Sequence, residues 1–323
     1  MTAISDLAVR PAEGPNTFQC TLPTCRGDYL IQISWPLSWK SSRGPENSSP
    51  DTHVPILYVL DGNAYFFTAT DVARRLEFVF RKEIIIVGIG YPTSHAIYDK
   101  RRLSDFTPSS SKPSKPPLGR DGQPLEGVEY GGAEQFLKAL LTEIAPYVED
   151  NIFQGLKFNR HSRYLFGHSF GGLFTLYSLF TRPDFFGAHL AASPSIWFQD
   201  CEIVHKQEKD FLSKDVIGRT MTQDSWSVEE LQTQPADLRL IMTFGSLEEN
   251  PEKRHNEASE DYQRRLVLSQ AKGMRRNTLA MANRLRASGK FRDVSVGELA
   301  GEDHGSAAIE TRTLAWRMYI CSH

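Results

Sequence analysis

Cysteine is scarce. Four residues (Cys20, Cys25, Cys201, Cys321) in a chain of 323 do not make a disulfide framework. Cys20 and Cys25 lack the CxxC spacing of a metal knuckle or redox pair, and no second pair follows. No segment approaches the long uncharged apolar run of a membrane helix. Residues 1–16 include Asp6, Arg10 and Glu13 and hold no signal-peptide core, so they read as a flexible tail and the protein as cytoplasmic, with reduced thiols. An excess of one charge is missing as well. Lys and Arg total 37 against 39 Asp and Glu, a net charge of -2, which excludes a strongly basic nucleic-acid binder. No spacing of His, Cys, Asp and Glu suggests a metal site, and no motif asks for a cofactor. The 40% hydrophobic and 24% charged residues are ordinary for a soluble globular chain with a sizeable core.

The apolar runs that are present alternate in kind. Thr17 to Leu22 and Asp28 to Pro36 read as strands. Val54 to Leu60 and Glu83 to Gly90 are continuous apolar runs typical of strands buried on both faces. Between them a helix is predicted to run through Phe80. A Ser/Pro/Gly-rich loop spans Ser41 to Asp51, and Ser/Lys/Pro-rich sequence around Ser109 to Pro117 predicts an exposed loop insert over 109–125. A helix is predicted from Ala133 to about Asn151, with Phe136, Leu137, Leu140, Leu141 and Ile144 on its apolar face. Further strands are expected at Arg163 to Gly167, Ala188 to Ala192, Leu238 to Phe244 and Arg292 to Leu299. Helices are expected from Phe170 to Thr181, from Ser259 to Ser288 without interruption, and from Ser306 to Tyr319. Strands alternating with helices give an α/β domain with a mostly parallel sheet covered on both faces. No repeat or composition break divides it, so residues 1–323 read as one domain.

The chemistry concentrates in Gly167-His168-Ser169-Phe170-Gly171-Gly172. A GxSxG pentad alone is a weak signal, but here Tyr164 to Phe166 is strand-like and Leu173 to Leu176 is helix-like. A strand, a tight turn and a helix are what a nucleophilic serine at such a turn requires, with glycines where side chains have no room. A serine hydroxyl needs a base near neutral pH. His304, in the polar loop Gly301-Glu302-Asp303-His304-Gly305 after the last strand, is the candidate; His168 is expected to point elsewhere. The acid that orients the base is expected past Leu238 to Phe244, where Glu248 is preferred, with Glu249 its close rival. Two N–H donors are needed for a tetrahedral oxyanion. Phe170 supplies one by position, and Asn63, in the turn Asp61-Gly62-Asn63, is the candidate for the other.

Six segments then occur in a telling order: Leu60 to Tyr65 (LDGNAY), Arg101 to Pro108 (RRLSDFTP), Gly131 to Phe136 (GGAEQF), Gly167 to Gly172, Ser193 to Trp197 (SPSIW) and Glu302 to Gly305 (EDHG). Together they resemble the enterobactin-esterase-like branch of the esterase D group of α/β-hydrolases. The resemblance implies the α/β-hydrolase fold, a mostly parallel sheet with helices on both faces. It also implies a serine esterase that cleaves ester or lactone bonds of a siderophore, a ferric hydroxamate of the fusarinine type among fungal relatives, with Ser169 and His304 as catalytic residues, which in some relatives work as a Ser-His pair without Glu248's counterpart. It places Arg101 and Arg102 near the substrate mouth. There they would hold substrate oxygens or, with Asp105, pin the loop. Trp197 is either a pocket wall or a core residue. The expected partner is the siderophore, iron-loaded or free, with no nucleic acid and no membrane; oligomeric state stays open. A general carboxylesterase or thioesterase of the same fold, and a siderophore-binding protein without catalysis, are the alternatives.

Overall fold

The computed structural model describes residues 14–41, 44, 54–92, 96–110, 123, 127–213, 219–222, 225–230 and 238–310. The strands among them are Thr17–Thr24 (β1), Gly27–Ser34 (β2), Ile56–Leu60 (β3), Ile85–Gly90 (β4), Arg163–His168 (β5), Ala188–Ala192 (β6), Arg219–Thr222 (β7), Ser225–Glu230 (β8), Arg239–Gly245 (β9) and Asp293–Leu299 (β10). Eight of them form one sheet in the order β1-β2-β4-β3-β5-β6-β9-β10. β2 runs antiparallel to both β1 and β4, and every other pairing is parallel. The runs read as doubly buried are the central strands, in which β3, β4, β6 and β9 are buried at every position. β7 and β8 form a separate antiparallel ribbon that the sequence pattern did not signal.

Alternation along the strands sorts the core into two layers. Leu57 and Val59 of β3 face Phe66, Ala69, Ala73 and Leu76 of the helix Gly62–Phe80 (α1). Tyr58 and Leu60 face the other side, where the short helix Arg102–Asp105 (α2), the helix Ala133–Ala139 (α3) and the helix Phe170–Thr181 (α4) lie over Phe106, Phe136 and Phe174. The run after α3 continues in wide turns to Ile152, which buries Glu149. Its carboxylate accepts from Tyr58 Oη at 2.7 Å and from both arms of Arg163 at 2.8 and 2.5 Å, so the buried charge is fully hydrogen-bonded.

Two expectations change. The helix read as continuous from Ser259 to Ser288 is two, Ser259–Lys272 and Met274–Ala287, because Gly273 adopts φ +54°, which ends one helix and starts the next. The end of the presumed tail is tied down, since the Asn16 amide donates to the carbonyls of Pro36 and Trp39. The closing helix is described only over 307–310, and most of the loop over 109–125, the tail over 1–13 and the segment 45–53 lie outside the described residues. Among the described residues no helix is long and apolar enough to cross a membrane, and no cluster of three metal-ligating side chains occurs.

His189 in β6 is fully buried, and neither ring nitrogen has a hydrogen-bond partner. Burial, reinforced by the nearby Arg160 charge, pushes its pKa down to about 3. Between pH 6.5 and 3 the unfolded chain therefore binds a proton at this residue that the native state refuses. Its contribution to stability is complete above the ordinary histidine pKa and is lost as pH falls, by up to about 1.4 kcal/mol per pH unit. Urea unfolding of wild type and His189→Leu should show the wild type losing stability more steeply from pH 6.5 to 4; parallel pH profiles would refute the assignment.

Candidate active site

β5 runs into α4 through Ser169, whose backbone sits at φ +60°, ψ −116°, a strained conformation for a residue with a side chain. Two glycines make the turn possible. A Cβ at Gly167 would strike the Gly171 carbonyl, and one at Gly172 would lie 2.9 Å from the Ala192 carbonyl oxygen. The Ser169 N–H donates to Ala192 O at 3.0 Å, and its carbonyl accepts from Leu173 and Ser195 N–H groups at 3.0 and 3.1 Å. The serine is thus held between the start of α4 and the segment following β6, its hydroxyl at the C-terminal edge of the parallel strands.

His304 reaches that hydroxyl from the loop after β10. Asp303 shapes the loop: its carboxylate accepts from the N–H groups of Gly305 and Ser306 at 2.9 and 3.1 Å, hydrogen bonds that lower its pKa. The loop lies against the one after β9. Leu247 N–H donates to Glu302 O at 3.0 Å and Ser246 N–H to Leu299 O at 2.9 Å, while a side chain at Gly245 would collide with the Glu302 carbonyl.

These contacts bring the sequence-predicted Ser169, His304 and Glu248 into one row. His304 Nε2 lies 2.9 Å from Ser169 Oγ, and His304 Nδ1 lies 2.6 Å from Glu248 Oε2. The Glu248 side chain is buried, and its other oxygen accepts from Ser193 Oγ at 2.5 Å and Gly245 N–H at 2.7 Å. A carboxylate accepts only, so neutral His304 carries its proton on Nδ1 and turns the Nε2 lone pair to the serine. Glu249 instead accepts from the Arg276 N–H at 3.1 Å.

The turn carrying Asn63 stands on the neighbouring strand. Asp61 has φ +55°, and a Cβ at Gly62 would come within 2.8 Å of the Gly88 backbone. The Asn63 side chain locks onto Tyr91, donating to its carbonyl at 2.9 Å and accepting from its N–H at 2.7 Å. The Asn63 N–H belongs to the first turn of α1, and the Phe170 N–H to the first turn of α4, where backbone donors have no partner within the helix. Both helices leave adjacent parallel strands at the same edge.

The two arginines have protein partners. Arg102 places Nε and Nη2 on the two oxygens of Asp61, both at 2.8 Å, with its guanidinium against the rings of Tyr98, Phe106 and Phe170. Burial opposes its charge, but Asp61 more than restores it and the Arg102 pKa rises. Arg102 thus pairs with Asp61 rather than with Asp105, and the oxygens it holds are those of the turn preceding Asn63. Arg101 donates to the Asp28 carbonyl at 2.5 Å and stacks on Tyr29 and Tyr91. It also borders a cavity of about 280 Å3 with Arg26, Lys100, Ser104 and Glu129. Asp105 is fully buried beneath it and accepts from Tyr29, Tyr91 and Arg26. Trp197 is half-buried beside Phe170, ring centroids 6.0 Å apart, and carries the Lys272 ammonium 5.1 Å above its ring.

Four residues of this site escaped the sequence reading. Ser193 holds Glu248, and Ser195 Oγ lies 3.4 Å from Ser169 Oγ, so both serines of the SPSIW segment serve the row, although only its tryptophan was weighed. Lys272, exposed overall yet with its pKa lowered by desolvation, carried no signal in the sequence. His168 does point away from Ser169, but toward the backbone of His304.

Comparison with known proteins adds a family. The sequence pattern of the family described as putative esterase matches residues 41–275. A siderophore enterobactin esterase of Emericella nidulans is 36% identical over 87% of this chain and 85% of its own. A siderophore triacetylfusarinine C esterase of Aspergillus fumigatus is 34% identical over 92% of this chain and 90% of its own. Among solved structures, the siderophore hydrolase EstA from Aspergillus nidulans superposes with a TM-score of 0.83 at 32% identity, covering 100% of this chain and 99% of the other.

Removing Arg102 leaves the Asp61 carboxylate buried and unpaired. Arg102→Ala should destabilise the protein by about 3–5 kcal/mol in chemical denaturation, the usual cost of breaking a buried ion pair from one side. A loss below about 1 kcal/mol together with a raised KM would instead assign the guanidinium to substrate.

Proposed function

Because this chain belongs to the putative esterase family and is an ester-hydrolysing enzyme of α/β-hydrolase fold, we propose that it is a serine esterase acting on the ester links of a siderophore, a ferric hydroxamate of the fusarinine type foremost. The observation that carries the mechanism is the row Ser169–His304–Glu248, with hydrogen bonds of 2.9 and 2.6 Å. The substrate class is supported by two fungal relatives that align over most of both chains, one of them named for triacetylfusarinine C.

In this reading, residues 1–323 act as one catalytic domain and need no cofactor; iron arrives with the substrate. Ser169 Oγ attacks the ester carbonyl while its proton passes to His304 Nε2. Glu248 holds Nδ1 and balances the imidazolium charge that results. The Phe170 and Asn63 N–H groups receive the carbonyl oxygen as it becomes an anion. His304 then protonates the departing alkoxide, leaving Ser169 acylated. A water attacks the acyl-enzyme, giving its proton to His304, which returns it to Ser169 Oγ as the acyl bond breaks and the acid is released. Cutting one link of a multidentate chelator lowers the effective concentration of its remaining hydroxamates around the metal, so iron is held less tightly. Trp197 and Lys272 beside Phe170 form a wall that an oxygen-rich chelate can lie against. The setting is intracellular, where the thiols of Cys20, Cys25 and Cys201 stay reduced.

Turnover of ferric and metal-free hydroxamate and catecholate siderophores, beside a simple aryl ester, tests the substrate. The expectation is preference for the ferric hydroxamate; hydrolysis of the aryl ester with no siderophore cleavage would make the protein a general carboxylesterase. Ser169→Ala should lose about 10³-fold or more in kcat, and siderophore binding with no hydrolysis by wild type would make it a binding protein. For the acid, Glu248→Gln should slow kcat by about 10²–10⁴-fold because the wrong tautomer is favoured. Glu249→Gln should stay near the wild-type rate. The reverse order would overturn the assignment.

A further inference from the structure

His304 is held by its hydrogen bonds more than by packing. Its side chain is 45% exposed, and its loop is bounded by Gly301 at φ +76° and by Gly305, so packing does little to aim the ring. Its backbone, however, is held from the nucleophile's own strand. His168 is buried and directs Nε2 to the His304 carbonyl oxygen at 2.8 Å, with the two imidazoles 4.7 Å apart, centroid to centroid. Behind it, His168 Nδ1 lies 2.9 Å from Tyr65 Oη, and Tyr65 Oη lies 2.6 Å from Tyr98 Oη.

The partners fix the direction of this chain. A carbonyl oxygen only accepts, so Nε2 of His168 carries a proton. The neutral ring then has a lone pair on Nδ1, which accepts the Tyr65 hydroxyl proton, and Tyr65 in turn accepts from Tyr98. The opposite tautomer would set the Nε2 lone pair against the carbonyl oxygen. Because His168 is peptide-bonded to Ser169, the bond to His304 ties the backbone of the base to that of the nucleophile, independently of the side-chain bond broken and remade during turnover.

We propose that His168 is a positioning residue: as the Nε2–H tautomer held by Tyr65, it anchors the His304 carbonyl and thereby sets the distance and angle between His304 Nε2 and Ser169 Oγ. The assignment rests on the serine-esterase reading above. It acts on kcat, since substrate binding does not require the base to be aligned, and a base displaced by about 1 Å costs up to 10²-fold in rate.

Two amides separate this role from simple packing. Gln places its amide N–H near the position of imidazole Nε2, and Asn places its amide near Nδ1. Steady-state hydrolysis of an aryl ester, inactivation by diisopropyl fluorophosphate and thermal unfolding are to be compared for wild type, Ser169→Ala, His168→Gln, His168→Asn and Tyr65→Phe. His168→Asn should lower kcat by about 10- to 100-fold with KM unchanged, and slow inactivation in parallel. His168→Gln should remain within about threefold of wild type, and Tyr65→Phe should fall in between. Equal losses in the Asn and Gln variants, losses that track thermal stability, or an effect confined to KM would overturn the proposal. Should His168→Asn fail to fold, Tyr65→Phe decides alone: an unchanged kcat there refutes the tautomer argument. Hydrolysis that survives in Ser169→Ala would refute the underlying serine mechanism, a result distinct from Ser169-dependent hydrolysis that is indifferent to residue 168.

Discussion

One carboxylate joins the parts of this molecule that must meet. Glu248 is buried, and both of its oxygens are engaged, one by the Ser193 hydroxyl and the Gly245 N–H, the other by His304. A buried charge without such partners is costly enough to neutralise itself or unfold its surroundings. Satisfying it requires the segment after β6, the end of β9 and the loop after β10 to converge on one point. The Ser169 backbone is bonded to the end of β6 at Ala192 and to the segment after it at Ser195, so the proposed nucleophile inherits the alignment. The parallel sheet supplies the rest, because strands running the same way deliver their C-terminal ends to one edge.

A second buried pair performs the corresponding service for the proposed oxyanion side. Asp61 adopts a left-handed backbone at the end of β3, and Arg102 clamps both of its oxygens while resting against Phe170. The turn that presents the Asn63 N–H and the residue that presents the other donor are thereby held by one guanidinium. Arginine suits this place because its planar fork meets a carboxylate with two parallel hydrogen bonds, where lysine would offer a single swivelling point.

The architecture was legible where local pattern and burial coincide. Strands β3 and β4 are uniformly apolar and buried, and the turn chemistry of Gly167 to Gly172 has few physical solutions, so element and site could be read together. Glu248 over Glu249 was a choice of direction along a loop, and only the stitching of that loop to Glu302 settles which side chain turns inward. The break at Gly273 was hidden because one glycine within a charged amphipathic run is equally compatible with a continuous helix. The roles of His168, Ser193 and Ser195 were out of reach for another reason. Each depends on a partner far along the chain, and a short polar side chain beside a turn looks the same whether or not such a partner exists. Arg102 illustrates the converse: a charge near a mouth suggests a ligand until its neighbour is known to be a buried aspartate.

The proposed base hangs from an edge of the sheet. β10 is the last strand in the order, paired on one side only and half-exposed along much of its length. Nucleophile and oxyanion turn, by contrast, spring from strands flanked on both sides. Edge elements open at lower free energy than the centre they border. Departure of β10 alone would therefore take the proposed base away from Ser169 while the central strands and the α1 layer stay in place.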